Sequence, residues 1–373
     1  MSEYQYVAFR AVDAPVSGDD LEFMHEQSSR ADITPYEFTN EYHYGDFGGD
    51  AEEMLRRGYD VHVHYASFGI RKIMIRLPHG LPHPEAADQY LVNESLALTP
   101  DDSGPGLILS IDPFFEPGDL EEYLALPGLL DDLEALRQEI VDGDLRPLYL
   151  AALAVGADDE DCPDPPLPAG MKELSEAQLT LAAFFGIDDA MLSVVGAESL
   201  PLPRRPGMQQ ACADWVRRQP AKQKDAWLCQ LVESTDQSVR QSILQQYWQS
   251  ESPPSWPTTI VDRNLDQILQ ATYAVQEDRA AALEQKQQDE WRRRLATIAA
   301  NPMPLIRQAQ KLIDSKRSSE YAEAARLLCD VRDALAGTDR AGLAISEARR
   351  LKEKYPHRRA MIATLRQHGL LPR

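Results

Sequence analysis

The segment from residue 30 to residue 78 reads RADITPYEFTNEYHYGDFGGDAEEMLRRGYDVHVHYASFGIRKIMIRLP, and it constrains the fold more than any other. Tyr36, Phe38, Tyr42 and Tyr44 fall on even positions, the two-residue period of a strand with one buried face. Gly45, Gly48 and Gly49 end that strand, and residues 50–58 have the acidic first turn and terminal glycine of a short helix. Residues 59–66 and 71–77 then read as two strands of a hairpin, closed by Ser67, Phe68, Gly69 and Ile70.

Upstream, residues 3–12 read as a first strand and residues 18–27 as a helix with an acidic entry. Strand, helix, strand, short helix and hairpin in that order predict an α+β domain, an antiparallel or mixed sheet with helices on one face. Within that class a ferredoxin-like topology is the first expectation. Pro78, Pro82 and Pro84 mark an irregular connection, after which 91–98 and 106–111 offer two more strands. From 119 to 154 the leucines recur at helical spacing, which predicts one or two helices packed on the sheet.

A chain of 373 residues exceeds one ordinary core, so it divides. The run DDEDCPDPPLP at 158–168 combines acids with four prolines and places a break there. The predicted organisation is an α+β domain over 1–157, a proline-rich linker with a small helical unit over 158–206, and an all-helical domain over 207–373. In the last, residues 264–300 lack Pro and Gly, which predicts one long helix. Its middle, 284–290, has no apolar face and must be solvated or held by a partner. Residues 302–373 predict at least three further helices broken near Gly337 and Pro356, with the small-residue spacing of a tetratricopeptide-like repeat.

The net charge of −22 is distributed unevenly. Residues 1–200 carry 40 acids and 10 Lys and Arg, whereas 201–373 carry 20 acids and 28 bases. An acidic first part repels phosphate, so nucleic-acid contact belongs to the second part. The two parts are also complementary, within one molecule or between two, which permits a homo-oligomer. No apolar run reaches the roughly 18 residues of a membrane span, and the N-terminus lacks the regions of a signal peptide. The expectation is a cytoplasmic protein with no membrane contact. Cys162, Cys212, Cys229 and Cys329 form no C-x-x-C pair and read as reduced thiols.

Met1-Ser-Glu-Tyr-Gln-Tyr6, Ser29-Arg-Ala-Asp-Ile-Thr34 and Asn40-Glu-Tyr-His-Tyr-Gly-Asp-Phe47 resemble a bacterial protein family without an assigned activity that opens MSEYQYYEF and carries an N-x-Y-x-x-GDF block. The tail from Leu312 to Leu370 is similar to the C-terminal helices of some bacterial SWIM zinc-finger proteins. The resemblance implies a bacterial cytoplasmic setting and an association with nucleic-acid-handling machinery. It transfers no catalytic residue, and no Cys and His cluster of zinc-finger spacing exists in this chain.

The candidate chemistry is limited. Asp60, His62 and His64 alternate along a strand, a common way to present imidazoles to one metal, and His43, Asp46 and Asp50 could complete the site. The alternative keeps Val61 and Val63 in the core and leaves the histidines on a solvated face. The Gly45–Asp50 loop carries two aspartates and no base, which disfavours phosphate. No hydrolase elbow, P-loop, zincin or Rossmann fingerprint is present. On the long helix Trp291 adjoins Arg292, Arg293 and Arg294, and Arg349, Arg350, Lys352, Lys354, His357, Arg358 and Arg359 cluster near the end. Bases beside an aromatic ring can grip phosphate and stack a nucleobase, or the basic part can dock on the acidic first part, within one molecule or between two. The leading expectation is a non-catalytic interaction protein that holds a protein partner on its helical half. The alternatives are a nucleic-acid-binding accessory factor using residues 290–294 and 349–359, and a metal-dependent hydrolase or nuclease at His43, Asp60, His62 and His64. No cofactor follows from the residues.

Overall fold

The computed structural model describes residues 4–77, 80–101, 106–116, 118, 120, 123, 125–156, 162–202, 208–233, 238–251 and 255–372. Packing divides the chain into two units, Met1–Val275 and Gln276–Arg373.

The first unit is built on β1 (Gln5–Arg10), α1 (Gly18–Gln27), β2 (Asp32–Ile33), β3 (Glu37–Tyr42), α2 (Ala51–Arg56), β4 (Val61–Ala66) and β5 (Ile70–Leu77). There follow α3 (Pro84–Ala87), β6 (Leu96–Pro100), β7 (Leu107–Ile111), α4 (Leu129–Val141) and α5 (Arg146–Val155). The seven strands form one sheet in the order β2-β3-β1-β4-β5-β7-β6, with every pairing antiparallel. The hairpin is where the sequence places it, and Gly69 takes φ of +116° at its turn, open to glycine and strained for other residues. The strand expected over 91–98 is shifted, since β6 begins only at Leu96.

One expectation needs correction. Helices cover both faces of the sheet, not one. Ala8, Val61, Val63, Ile73, Ile75 and Leu109 face α4 and α5, while Val7, Phe9, Phe38, Met74 and Ile108 face Met24 of α1 and Met54 and Leu55 of α2. The ferredoxin-like topology is present in the first four strands, which make its two split crossovers: β1 leads through α1 to β2 with β3 lying between them, and β3 leads through α2 to β4 with β1 lying between them.

The rest of the first unit comprises β8 (Leu167–Pro168), α6 (Glu176–Phe184), α7 (Asp189–Glu198), α8 (Met208–Arg218), α9 (Ala221–Glu233), α10 (Ser238–Ser250) and β9 (Thr258–Thr259). The break expected over 158–206 does not coincide with the division by packing. Residues 157–161 lie outside the described residues, but Leu167, Met171, Leu181, Phe184 and Val195 belong to the same buried cluster as the sheet. The prolines exclude helix without excluding extended backbone, and Leu167 and Pro168 pair with Thr259 and Thr258. Arg263 locks this segment, with Nε 2.7 Å from Asp164 Oδ2 and Nη1 2.8 Å from Glu198 Oε2. Trp215, Trp227 and Tyr247 unite α8, α9 and α10 in a small separate cluster.

The division falls inside α11 (Leu265–Ala300), a single helix of 36 residues. The second unit continues with α12 (Met303–Asp314), α13 (Tyr321–Ala334), α14 (Leu343–Lys354) and α15 (Arg359–Gln367). Ala309, Ala324, Ala325, Ala344 and Ala348 are fully buried there, small side chains that let helices approach closely around Leu328, Leu351 and Leu365. Among the described residues no helix is long and apolar enough to cross a membrane.

Candidate functional site

The four residues proposed as metal ligands are not brought together. Val61 and Val63 face the core as the alternating pattern requires, but His62 and His64 lie under the opposite layer instead of in solvent. His62 is 1% exposed and stacks on Phe9 at 4.0 Å between centroids, and its Nδ1 donates to the Ala8 carbonyl over 3.1 Å. Burial holds its pKa well below the usual histidine range, aided by His64. His64 donates from Nε2 to Gln5 Oε1 over 3.0 Å, while Gln5 Nε2 donates to Asp46 Oδ1 and to the Gly45 carbonyl. Burial and the neighbouring Lys72 push His64 down to about 4. Lys72 itself pairs with Asp112 at 2.8 Å.

Asp60 precedes β4 and its carboxylate is committed elsewhere. Oδ2 accepts from the backbone of Val12 and Asp13, and Oδ1 lies 3.3 Å from Arg137 Nη2. Arg137 also holds Asp13 at 2.5 Å and donates to the Arg76 carbonyl at 2.8 Å. Burial raises the Asp60 pKa, against the pull of Arg137. His43 is exposed beside Tyr4, and Asp50 caps α2 by accepting from the Glu53 amide. Among the described residues no group of three or more His, Cys, Asp or Glu could hold a metal ion. His62, His64 and Asp60 serve as hydrogen-bonded polar groups inside a three-layer structure, because a sheet covered on both faces leaves polar residues at its centre little access to water.

A cleft of about 450 Å³ opens where the β4–β5 hairpin meets Phe115, Glu116, Gly118 and Leu120, lined also by Tyr4, Tyr65, Ser67 and Arg71. The Arg71 guanidinium is nearly buried and donates to the Phe184 carbonyl over 2.5 Å. Sequence reasoning passed over this cleft, because Arg71 and Ser67 acquire their setting only from chain distant in sequence. The leucine stripe of α4 carried one signal of a buried ion pair, the lone Arg137 between Leu136 and Ile140.

The basic candidates are where the sequence puts them, on exposed helix faces of the second unit. This unit carries 20 Lys and Arg against 13 Asp and Glu, a net charge of +7. Trp291 is 42% exposed, with the Arg294 guanidinium 5.7 Å from its ring centroid. Arg294 pairs with Asp330, Arg292 lies 3.7 Å from Asp289, Arg350 pairs with Glu347, and Lys354 lies 3.5 Å from Asp314. Arg358 stacks over Tyr355 at 3.7 Å and donates to the Ile313 carbonyl. Arg293, Arg349, Lys352 and Arg359 are exposed and make no ion pair among the described residues. Comparison of the chain with protein-family models, with curated proteins and with solved structures returned no match.

Proposed function

We propose that the chain is a non-catalytic adaptor of the bacterial cytoplasm that holds an acidic protein partner on its C-terminal helical unit. The observation that supports this reading is the cations left in solvent: among the described residues Arg293, Arg349, Lys352 and Arg359 are exposed without an ion pair, as are Arg279, Lys286 and Arg326 among others, in a unit of net charge +7. Arg350, Arg358, Arg292 and Arg294 sit beside these in sequence with internal partners, so they shape the surface while the unpaired cations supply its field. Charge of one sign on a protein surface steers an oppositely charged partner and fixes its orientation. Trp291 adds an exposed aromatic anchor of the kind that concentrates binding energy.

The stacked Trp291–Arg294 pair favours a second reading, single-stranded nucleic acid, because a ring and a guanidinium together offer a base platform and a phosphate contact. One experiment separates them. Fluorescence anisotropy with a labelled glutamate-rich peptide and with a labelled single-stranded oligonucleotide is recorded between about 50 and 200 mM salt. The adaptor reading predicts peptide binding that weakens with salt and falls about tenfold or more in Arg349→Glu/Lys352→Glu/Arg359→Glu. Binding of the oligonucleotide alone transfers the function to nucleic acid, and binding of neither probe overturns both.

A further inference from the structure

The outer faces of α11 repeat every seven residues, and the repeat has a consequence for assembly. Residues 276–288 are all exposed, although the helix is unbroken. Leu269, Tyr273, Gln276, Ala280, Leu283 and Gln287 follow one another at alternating spacings of four and three, which places them on one seam of the helix. Tyr273 is 61% exposed and Leu283 57% exposed. One flank of that seam is basic at Arg279, Lys286 and Arg293, each seven residues from the next, and the other flank is acidic at Glu277 and Glu284.

We infer that α11 pairs with the α11 of a second copy of this chain as a parallel, in-register two-stranded coiled coil over residues 269–287. The charges decide the orientation. In a parallel pair the residue flanking one side of the seam meets the residue five positions on in the partner helix, so Arg279 of each copy meets Glu284 of the other. In an antiparallel pair each flank meets its own kind, base against base and acid against acid, which repels. Lys286 takes the same position relative to Trp291 and can lie over its ring. Gln276 and Gln287 in the seam weaken the pairing and hold its register, as single polar seam residues do.

The test is sedimentation equilibrium of the full chain over a concentration series, with helicity checked by circular dichroism. The expected result is a reversible dimer. Arg279→Glu weakens it about tenfold, Glu284→Arg does the same, and the double variant R279E/E284R restores it, since two symmetric pairs each pass from attraction to repulsion and back. Both positions are exposed, so the substitutions leave the fold of one chain intact. A monomer at every concentration overturns the inference. So does a dimer that R279E tightens or leaves unchanged, or a double variant as weak as the single ones.

Discussion

The strongest consequence of a sheet covered on both faces is acid lability, and His64 is where it can be measured. His64 lies between β1 and β5, its Nε2 on Gln5, with Lys72, Asp112, Asp46, Phe47 and His62 around it. Its pKa is pushed down to about 4 from an ordinary 6.5. Above pH 6.5 the ring is neutral in both states and costs nothing. As pH falls below 6.5 the unfolded chain takes up a proton that the folded chain refuses, so stability drops until pH 4, where both forms bind it. The fall from 6.5 to about 4 corresponds to about 3 kcal/mol at full effect, and partial solvent access reduces this to about 2 kcal/mol. His64→Gln keeps a hydrogen-bonding side chain and removes the titration. The assay is urea unfolding at pH 7, 6, 5 and 4.5, followed by hydrogen exchange on peptides covering β1 and β4. The wild type should lose about 2 kcal/mol more than the variant between pH 7 and pH 4.5. A difference between the two proteins that is constant over this range refutes the reasoning.

Other outcomes follow from the same packing. Arg137→Met leaves buried Asp60 with only Arg76, 4.0 Å away, and should cost about 3 kcal/mol in urea unfolding, and adding Asp60→Asn should recover part of it. Gly69→Ala meets a positive φ and drives its Cβ into the Phe115 carbonyl, so it should cost about 2 kcal/mol and expose the hairpin to exchange. Reversal of Arg349, Lys352 and Arg359 should remove binding of the acidic peptide while leaving the thermal midpoint of the chain within about 2 °C, because none of the three touches a described carboxylate.

Much of the architecture was legible in local pattern. The hairpin, the helix at 18–27, the long helix from 265 to 300 and the breaks at Gly337 and Pro356 all stood in spacing and punctuation. What pattern could not carry was everything decided by distant chain. The ferredoxin-like expectation places β1 between β3 and β4, but nothing in residues 70–111 names the order β5-β7-β6 in which the sheet continues. The burial of His62 depends on α1 and α2 closing over it, while the strand itself alternates as one with a wet face would. Residues 162–168 carry prolines that read as a linker, and only the pairing with Thr258 and Thr259 and the Arg263 bridge to Asp164 show them as part of the packed unit.

The two groups of candidate residues met opposite outcomes for one physical reason. A short polar side chain between two layers has little access to water, so His62, His64 and Asp60 found partners in the protein, and these partners hold them out of the geometry of a metal site. A long cationic side chain on a helix face buries its stem and keeps its head wet. Arg349, Lys352 and Arg359 therefore retain their charge for something outside the chain, even while Leu351 and Met361 nearby are fully packed. For an acidic protein with a basic helical unit, residue type and element type together foretell availability: candidates on covered strands become structure, and candidates on outer helix faces remain free to bind.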